Sequence, residues 1–386
     1  MGFFLTGFFF IYSLLHLYLF VRARAALGLG AAACVPLALF MIVMITAPVL
    51  ARLSENAGFV LFARIMAYTG YSWMAFLFLF FCASVTVDAC RLVLYAAGLV
   101  VGKTHAWLAL SGKSSFLLSI AIAAVVCFYG YFEARSIQSE HLTIVTSKIP
   151  ERMSPLRIAQ ISDVHLGLVV GRGRLGRIMD RVREANPDIL VSTGDLVDGQ
   201  MNDMDGVADV LKAFTPRYGK FAITGNHEFY AGLGQALAFT RAAGFHVLRG
   251  EAVIVQDAIN IVGVDDPAGP GYGSSSAGEQ TILSAASNGK FTLFLKHRPA
   301  VDRKSARLFD LQFSGHVHDG QIFPFRLITR LFYPLVEGYY AFPPHAALYV
   351  NRGSGTWGPP IRFLSPPEVT VIDIVRPSHP PTGKKF

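Results

Sequence analysis

Residues 157–168 read RIAQISDVHLGL. A short apolar run, Ile158–Ile161, breaks at once into Ser162-Asp163-Val164-His165. A run of that length rich in Ile is what a strand buried on both faces needs, and a polar cluster at its end marks a loop. The same figure returns four times downstream. Ile189–Val191 ends in TGDLVD (193–198), Phe221–Ile223 in TGNHE (224–228), Thr292–Leu295 in KHRP (296–299) and Leu311–Phe313 in SGHVHD (314–319). Ile259–Val264 is a further run of this kind, closed by Asp265 and Asp266. Helical patterns at Leu175–Ala185 and Val207–Phe214 lie between some of the runs. Strand, polar turn and helix in repetition predict an α/β domain, whose functional groups gather just past the carboxyl ends of its strands. Outer strands are expected at Leu142–Thr146, Ala347–Val350 and Val369–Ile374, and a flexible loop at Gly269–Gly278.

The five polar clusters offer carboxylate, imidazole and amide side chains, each where converging strands would bring it to one place. Asp and His with one Asn are the donors a pair of borderline divalent metals such as Mn, Fe or Zn prefers. In Asp163-Val164-His165 and His316-Val317-His318 the two outer residues are two apart, so on extended backbone both face one site. Glycines precede Asp195, Asn226 and His316, and are expected to supply the unusual backbone angles of tight turns. Asp198 and Glu228 read either as carboxylates that orient ligand histidines or as polar residues of a turn and a helix start. Asp265 and Asp266 read as loop residues that could line a pocket, Arg298 as packing or a phosphate contact, and His246 and His345 as structural. A single Asp-x-His is an ordinary turn; five signals in order require a shared site.

Together, DVH, GDLVDG, GNHE, KHRP and GHVH resemble the calcineurin-like metallophosphoesterase superfamily. The phrases Gln160–Leu166, Ser314–Phe323 and Asn351–Phe363 (NRGSGTWGPPIRF) resemble its bacterial YkuE/YaeI-type branch, which includes members with N-terminal membrane segments. The resemblance covers residues 157–375. It implies a two-sheet β-sandwich flanked by helices and hydrolysis of a phosphate ester or pyrophosphate with two divalent metals. It also implies roles: Asp163, His165 and His318 for the first metal, Asn226, His297 and His316 for the second, Asp195 bridging, and His227 as the acid that protonates the leaving group or steadies the phosphate. Related sequences often read Gly-His-Thr-His-Gly-Gly-Gln where this chain has Val317 and Asp319. Some relatives cleave the pyrophosphate of lipid-precursor nucleotides, so a lipid-linked or nucleotide-type substrate is expected. A non-catalytic interaction module on this fold would have lost ligands, and a membrane sensor with an accessory phosphatase domain would need more charge inside its spans.

Upstream of this domain the composition changes. Of 386 residues 53% are hydrophobic and 16% charged, and the first 130 are nearly charge-free. A spanning helix needs about 20 apolar residues. Phe3–Val21, Leu27–Leu50, Ala67–Val87 and Phe116–Tyr131 qualify, and Leu92–Val101 either extends the third span or lies along the interface. The expected division is a membrane region at 1–134, a linker at 135–156, the metallophosphoesterase domain at 157–375 and a disordered tail at 376–386. His16 and Asp88 are expected to anchor at the membrane interface. Arg22, Arg24, Arg91, Lys103 and Lys113 outnumber Arg52, Arg64 and Arg135 on the opposite side, which points the first set inward. The expected setting is thus a bacterial inner membrane, with the catalytic domain on the periplasmic face. All four cysteines lie in the hydrophobic third and read as packing residues. The net charge of +8 favours anionic partners, phosphate or lipid head groups. No Lys/Arg run with interleaved aromatics suggests nucleic acid.

Overall fold

A computed structural model describes residues 2–101, 110–199, 201, 204, 206–268, 278–342 and 345–377. Most of the Gly269–Gly278 loop, Lys103 and nearly all of the expected tail lie outside them. The chain divides into two compact units, one of residues 1–132 with 358–363, the other of residues 133–357 with 364–386.

Four long apolar helices make up the first unit: α1 (Gly2–Leu27), α2 (Ala31–Asn56), α3 (Val60–Val101) and α4 (Gly112–Glu133). All four are long and apolar enough to cross a membrane. Helix α3 continues unbroken through Leu92–Val101, which settles that segment as helix. Its 42 residues reach roughly 63 Å, twice a hydrocarbon core of about 30 Å. Helices α2 and α3 meet through small residues, with Ala47, Ala51, Ala63 and Ala67 buried and a Cβ on Gly70 only 2.6 Å from that of Ala47. Such residues let helix backbones approach where lipid gives no hydrophobic drive. His16 is held inside the helical unit. It is buried, its Nδ1–H donates to the Tyr12 carbonyl at 2.8 Å, and its Nε2 accepts from Trp73 Nε1 at 2.9 Å. Both ring nitrogens are used, so it joins α1 to α3 as a neutral imidazole. Asp88 pairs with Arg22 at 2.8 Å and Arg91 at 3.2 Å, and accepts from Ser115 Oγ at 3.3 Å.

The second unit is a two-sheet sandwich. One sheet runs β1 (Gln138–Val145), β12 (Glu368–Val375), β2 (Leu156–Ile161), β3 (Ile189–Ser192), β4 (Lys220–Ala222), β5 (His246–Val247). The other runs β10 (Gly338–Phe342), β11 (Ala346–Val350), β9 (Leu311–Ser314), β8 (Phe291–Leu295), β7 (Ile259–Gly263), β6 (Glu251–Val255). Strands β2 to β5 are mutually parallel, as are β7, β8, β9 and β11. The core between the sheets follows the period of two: Leu156 and Ile158, Ile189 and Val191, Ile259 and Ile261, Leu293 and Leu295, Leu311 and Phe313, Ile372 and Ile374. The alternate residues bury the outer faces under helices α5 (Arg172–Ala185), α6 (Val207–Lys212), α7 (Asn226–Ala231), α8 (Leu233–Ala242) and α9 (Glu279–Ala286). Val262 and Phe294, for example, pack on Ile282 and Leu283 of α9. Burial on both faces is why these strands read as unbroken apolar runs. A short helix α10 (Phe325–Phe332) follows β9. The parallel strands β2, β3, β4, β8 and β9 deliver the five polar clusters.

Candidate metal centre

Each cluster lies directly after its strand. Asp163 and His165 follow β2, Asp195 follows β3, Asn226 and His227 open α7 after β4, His297 follows β8, and His316 and His318 follow β9. Two groups of ligand atoms converge to within 4.8 Å of one another: Asp163, His165 and His318, and Asp195, His297 and His316. His165, Asp195 and His227 form a third group that links them. Six of the seven sequence-predicted metal ligands fall in these groups together with His227, Asn226 being the neighbour of His227 at the start of α7. Asp195 touches both halves: its Oδ2 is 3.2 Å from His297 Nε2 and 3.8 Å from His165 Nε2.

Buried side chains in such number need partners, and some have none of the ordinary kind. The Asn226 Oδ1 is buried with no hydrogen-bond partner. His165 Nε2 lies 3.0 Å from His318 Nε2, and His316 Nδ1 lies 3.1 Å from His297 Nε2. His297 donates its Nδ1–H to the Thr193 carbonyl at 2.8 Å, so Nε2 is the ring nitrogen that faces His316 and Asp195. Imidazole nitrogens converging with two buried carboxylates, beside an orphaned amide oxygen, fit a site for divalent cations.

The protonation states of the bare site follow from burial opposed by charge. Burial alone would lower His297, but Asp195 and Asp163 raise it to about 10. Burial would raise the Asp195 carboxyl, yet His297 and His227 hold it well below the carboxylate range. Burial and the neighbouring His297 charge push His316 down to about 3. His227 is raised to about 9: burial opposes its charge, and Asp195 and Asp198 overcome that.

The surrounding residues sort differently from the sequence expectation. Asp198 holds His227: its carbonyl accepts from His227 Nδ1–H at 2.8 Å and its Oδ1 is 3.2 Å from the same nitrogen, while the ligand candidate His165 has its Nδ1 3.6 Å from that Oδ1, an ion-pair distance only. Glu228 acts on backbone instead. Its carboxylate accepts four backbone N–H groups, from Gly225 (2.6 Å), Leu196 (2.8 Å), Asp195 (3.0 Å) and Val197 (3.4 Å). Arg298 is clamped by both oxygens of Asp266 at 2.7 and 2.9 Å, and Asp265 pairs with Arg249 at 2.8 Å. His246 and His345 are exposed and belong to none of the three groups.

The glycine expectation also changes. Of the three, only Gly194 has a left-handed φ (+94°). Gly225 and Gly315 serve close approach instead: a Cβ on Gly225 would lie 2.2 Å from Asp195 Oδ1, and one on Gly315 would lie 2.1 Å from Asp163 Oδ2. The unusual φ belongs to the ligand residues themselves, Asp163 (52°), His165 (54°), Asp195 (51°), His316 (74°) and His318 (49°).

Two contributors escaped the sequence reading. Tyr333, just after α10, places its hydroxyl 3.2 Å from His316 Nε2. Trp357 stands with its ring centroid 5.9 Å from that of His227, tied to Gln321 by Trp357 N donating at 2.9 Å and Gln321 Nε2 donating back at 3.0 Å. The NRGSGTW phrase carries the second: Asn351 N, Ser354 N and Gly355 N donate to the carbonyls of Ser314, Ser162 and Asp163 and brace two ligand loops.

The comparisons with known proteins agree with this geometry. Residues 156–320 match the family model described as calcineurin-like phosphoesterase. An uncharacterized metallophosphoesterase of Aquifex aeolicus is 40% identical over 255 residues, which cover 66% of this chain and 97% of that one. The zebrafish (Danio rerio) transmembrane protein with metallophosphoesterase domain is 32% identical over 66% of this chain and 62% of its own. The uncharacterized metallophosphoesterase YkuE of Bacillus subtilis is 32% identical over 63% of this chain and 87% of its own. With a relative matched over nearly its whole length and the donor set gathered at the strand ends, the chain belongs to the calcineurin-like phosphoesterases, and is a membrane protein with a metal-dependent phosphoesterase domain.

Proposed function

We propose that the clustered side chains form a two-metal centre that hydrolyses a phosphate ester or pyrophosphate of a lipid-linked or nucleotide-type substrate. Asp163, His165 and His318 hold one ion, Asn226, His297 and His316 the other, and Asp195 is shared. The observation that carries the reading is the position of Asp195, in contact with histidines of both groups, with the orphaned Asn226 Oδ1 completing the second. When bound, a pair of divalent ions supplies an activated water and Lewis-acid stabilisation of phosphoryl charge.

The chain's own residues do the rest. Thr193 and Asp198 fix the tautomers and ring orientations of His297 and His227 through their carbonyls. With the Nδ1–H of His227 held by the Asp198 carbonyl, its Nε2 is the nitrogen left to pass a proton to a leaving-group oxygen, the role of a general acid. Trp357 and Tyr230, whose rings flank His227 at 5.9 and 5.3 Å, give that side of the centre an aromatic wall. The spans favour a substrate met at a bilayer, and the charge asymmetry of their loops favours a periplasmic domain on a bacterial inner membrane.

The test is metal-stripped protein assayed on bis-p-nitrophenyl phosphate and on a lipid pyrophosphate, with and without added Mn. Metal-dependent turnover, lost in Asn226→Ala and His227→Ala, is expected. Absence of turnover on either ester, or variants equal to wild type, refutes the reading. A reporter fused after residue 135 tests orientation separately.

A further inference from the structure

Helix α10 is amphipathic in the reverse sense to a helix on an aqueous protein surface. At 100° per residue, Phe325, Leu327, Ile328, Leu331 and Phe332 share an arc of roughly 160°, and Arg326, Thr329 and Arg330 occupy the other side. The usual arrangement turns the apolar arc to the core. Here those five residues are 46, 56, 45, 80 and 75% exposed, and no residue of the helix is buried. Arg326, from the polar arc, turns inward: its Nε lies 2.9 Å from Asp319 Oδ1, and its guanidinium also meets Glu337. Asp319 is itself buried. Gly320, at φ +74°, lets the two backbones close up, for a Cβ there would lie 2.4 Å from Arg326 Cα. The orientation is therefore anchored, and the anchor uses the aspartate at which this sequence departs from Gly-His-Thr-His-Gly-Gly-Gln.

We propose that α10 is a membrane-docking helix whose apolar arc enters the interfacial layer of the bilayer and whose Arg330 meets lipid phosphates. Three observations select lipid as the occupant. The chain is a membrane protein, so a bilayer is always within its reach. Residues 323–335 contain no acidic group, and Arg330 is exposed with no ion-pair partner among the described residues, which complements an anionic surface. Exposed Phe323 and Trp357, the latter tied to Gln321, extend the apolar surface with the aromatic residues that membrane interfaces favour. Docking also has a consequence for the centre, which rests on the phosphoesterase reading. Tyr333 joins the end of α10 to His316, so a helix lying in the head-group layer is tied directly to one histidine of the centre.

The experiment uses full-length protein in proteoliposomes containing anionic phospholipid, with photoreactive p-benzoylphenylalanine in place of Phe332 or, as reference, of Ile254 on β6 (56% exposed). Irradiation followed by mass spectrometry is expected to give lipid adducts at position 332 and none above background at 254. Adding Leu331→Glu should lower the adduct at 332 about tenfold, the factor a lost apolar anchor of this size is worth. Turnover of bis-p-nitrophenyl phosphate in detergent should stay unchanged. Leu327→Ser repeats the readout should Leu331→Glu fail to fold. Protein adducts from a second copy in place of lipid, equal lipid adducts at 254, or no adduct at 332 overturn the proposal. None of these readings depends on catalysis, so the docking proposal and the phosphoesterase reading fail independently.

Discussion

Replacing Glu228 by glutamine keeps its shape and removes one acceptor, which makes it a sharp probe of how the Asp195 loop is held. The Glu228 carboxylate is buried and takes N–H groups in two pairs: Gly225 and Asp195 on Oε2, Leu196 and Val197 on Oε1. In Glu228→Gln the amide NH2 must face one pair. The contact with Val197 is long at 3.4 Å and those with Gly225 and Asp195 are 2.6 and 3.0 Å, so the NH2 turns toward Leu196 and Val197. The Leu196 N–H, buried at 2.8 Å from its former acceptor, then loses it. A buried donor left unpaired costs about 1–3 kcal/mol, and the two retained bonds lose their charge at about 1 kcal/mol each. A total of about 3–5 kcal/mol lowers the midpoint of thermal unfolding by about 6–20 °C for a domain of this size. The assay is a thermal scan of metal-free protein in detergent, paired with a metal titration, since the same loop carries Asp195. A Glu228→Gln midpoint within about 1 °C of wild type refutes the reasoning. So does a variant that loses metal affinity while keeping metal-free stability, because that is the signature of a carboxylate acting on an imidazole rather than on backbone.

Gly315→Ala places a Cβ 2.1 Å from both Asp163 Oδ2 and Ser162 Oγ, so displacement of a ligand is expected, with at most one metal per chain by elemental analysis. Metal loading at pH 7 should release protons, because His297 is raised to about 10 and must give up its proton to bind; titration calorimetry in buffers of different ionisation enthalpy measures this, and no buffer dependence contradicts it. The buried Lys220 donates to the Leu211 and Ala243 carbonyls at 2.7 Å, and burial lowers it from 10.5 to about 8. Between those pH values the unfolded chain binds the extra proton, so stability should rise with pH by about 1 kcal/mol per unit. Lys220→Met should flatten that slope in denaturant titrations.

The buried strands were legible because burial on both faces leaves nothing but apolar residues. Ile189–Val191 and Leu311–Phe313 differ from β3 and β9 by one residue at one end. The edge strand β1 was partly legible, as Leu142–Thr146, but the shorter or more exposed β5, β6 and β10 gave no such signal. Strand β5 has two residues, and β6 and β10 are held by pairing to β7 and β11 while much of their own surface stays exposed. The clustering of the Asp and His candidates was legible for a related reason: parallel strands deliver their ends to one edge, so order along the chain translates into proximity. Tyr333 was not, since its approach to His316 depends on α10 docking through Arg326 and Asp319, a tertiary ion pair with no periodic trace. The role of Glu228 was hidden similarly, because backbone N–H groups carry no residue identity.

Five of the seven proposed ligands sit at left-handed φ, and none is glycine. An L-residue there costs about 1–2 kcal/mol, so the five together cost roughly 5–10 kcal/mol, comparable to the whole net stability of a domain. Such strain persists only when neighbouring structure over-determines it. Here the ligand loops brace one another: Asp163 N and His165 N donate to the carbonyls of Gly194 and Asp195, His316 N donates to the Asp163 carboxylate at 3.0 Å, and Gly355 N donates to the Asp163 carbonyl. That mutual bracing requires backbones to meet closely, and this is where the glycines go. A Cβ on Gly355 would lie 2.0 Å from the Val164 carbonyl oxygen, as those on Gly225 and Gly315 would collide with ligand carboxylates. The glycines beside the ligands therefore tighten the loops more than they loosen them. Strained ligands held by tightly fitted neighbours cannot relax individually, so the donor geometry belongs to the protein scaffold and does not have to be assembled by an arriving cation.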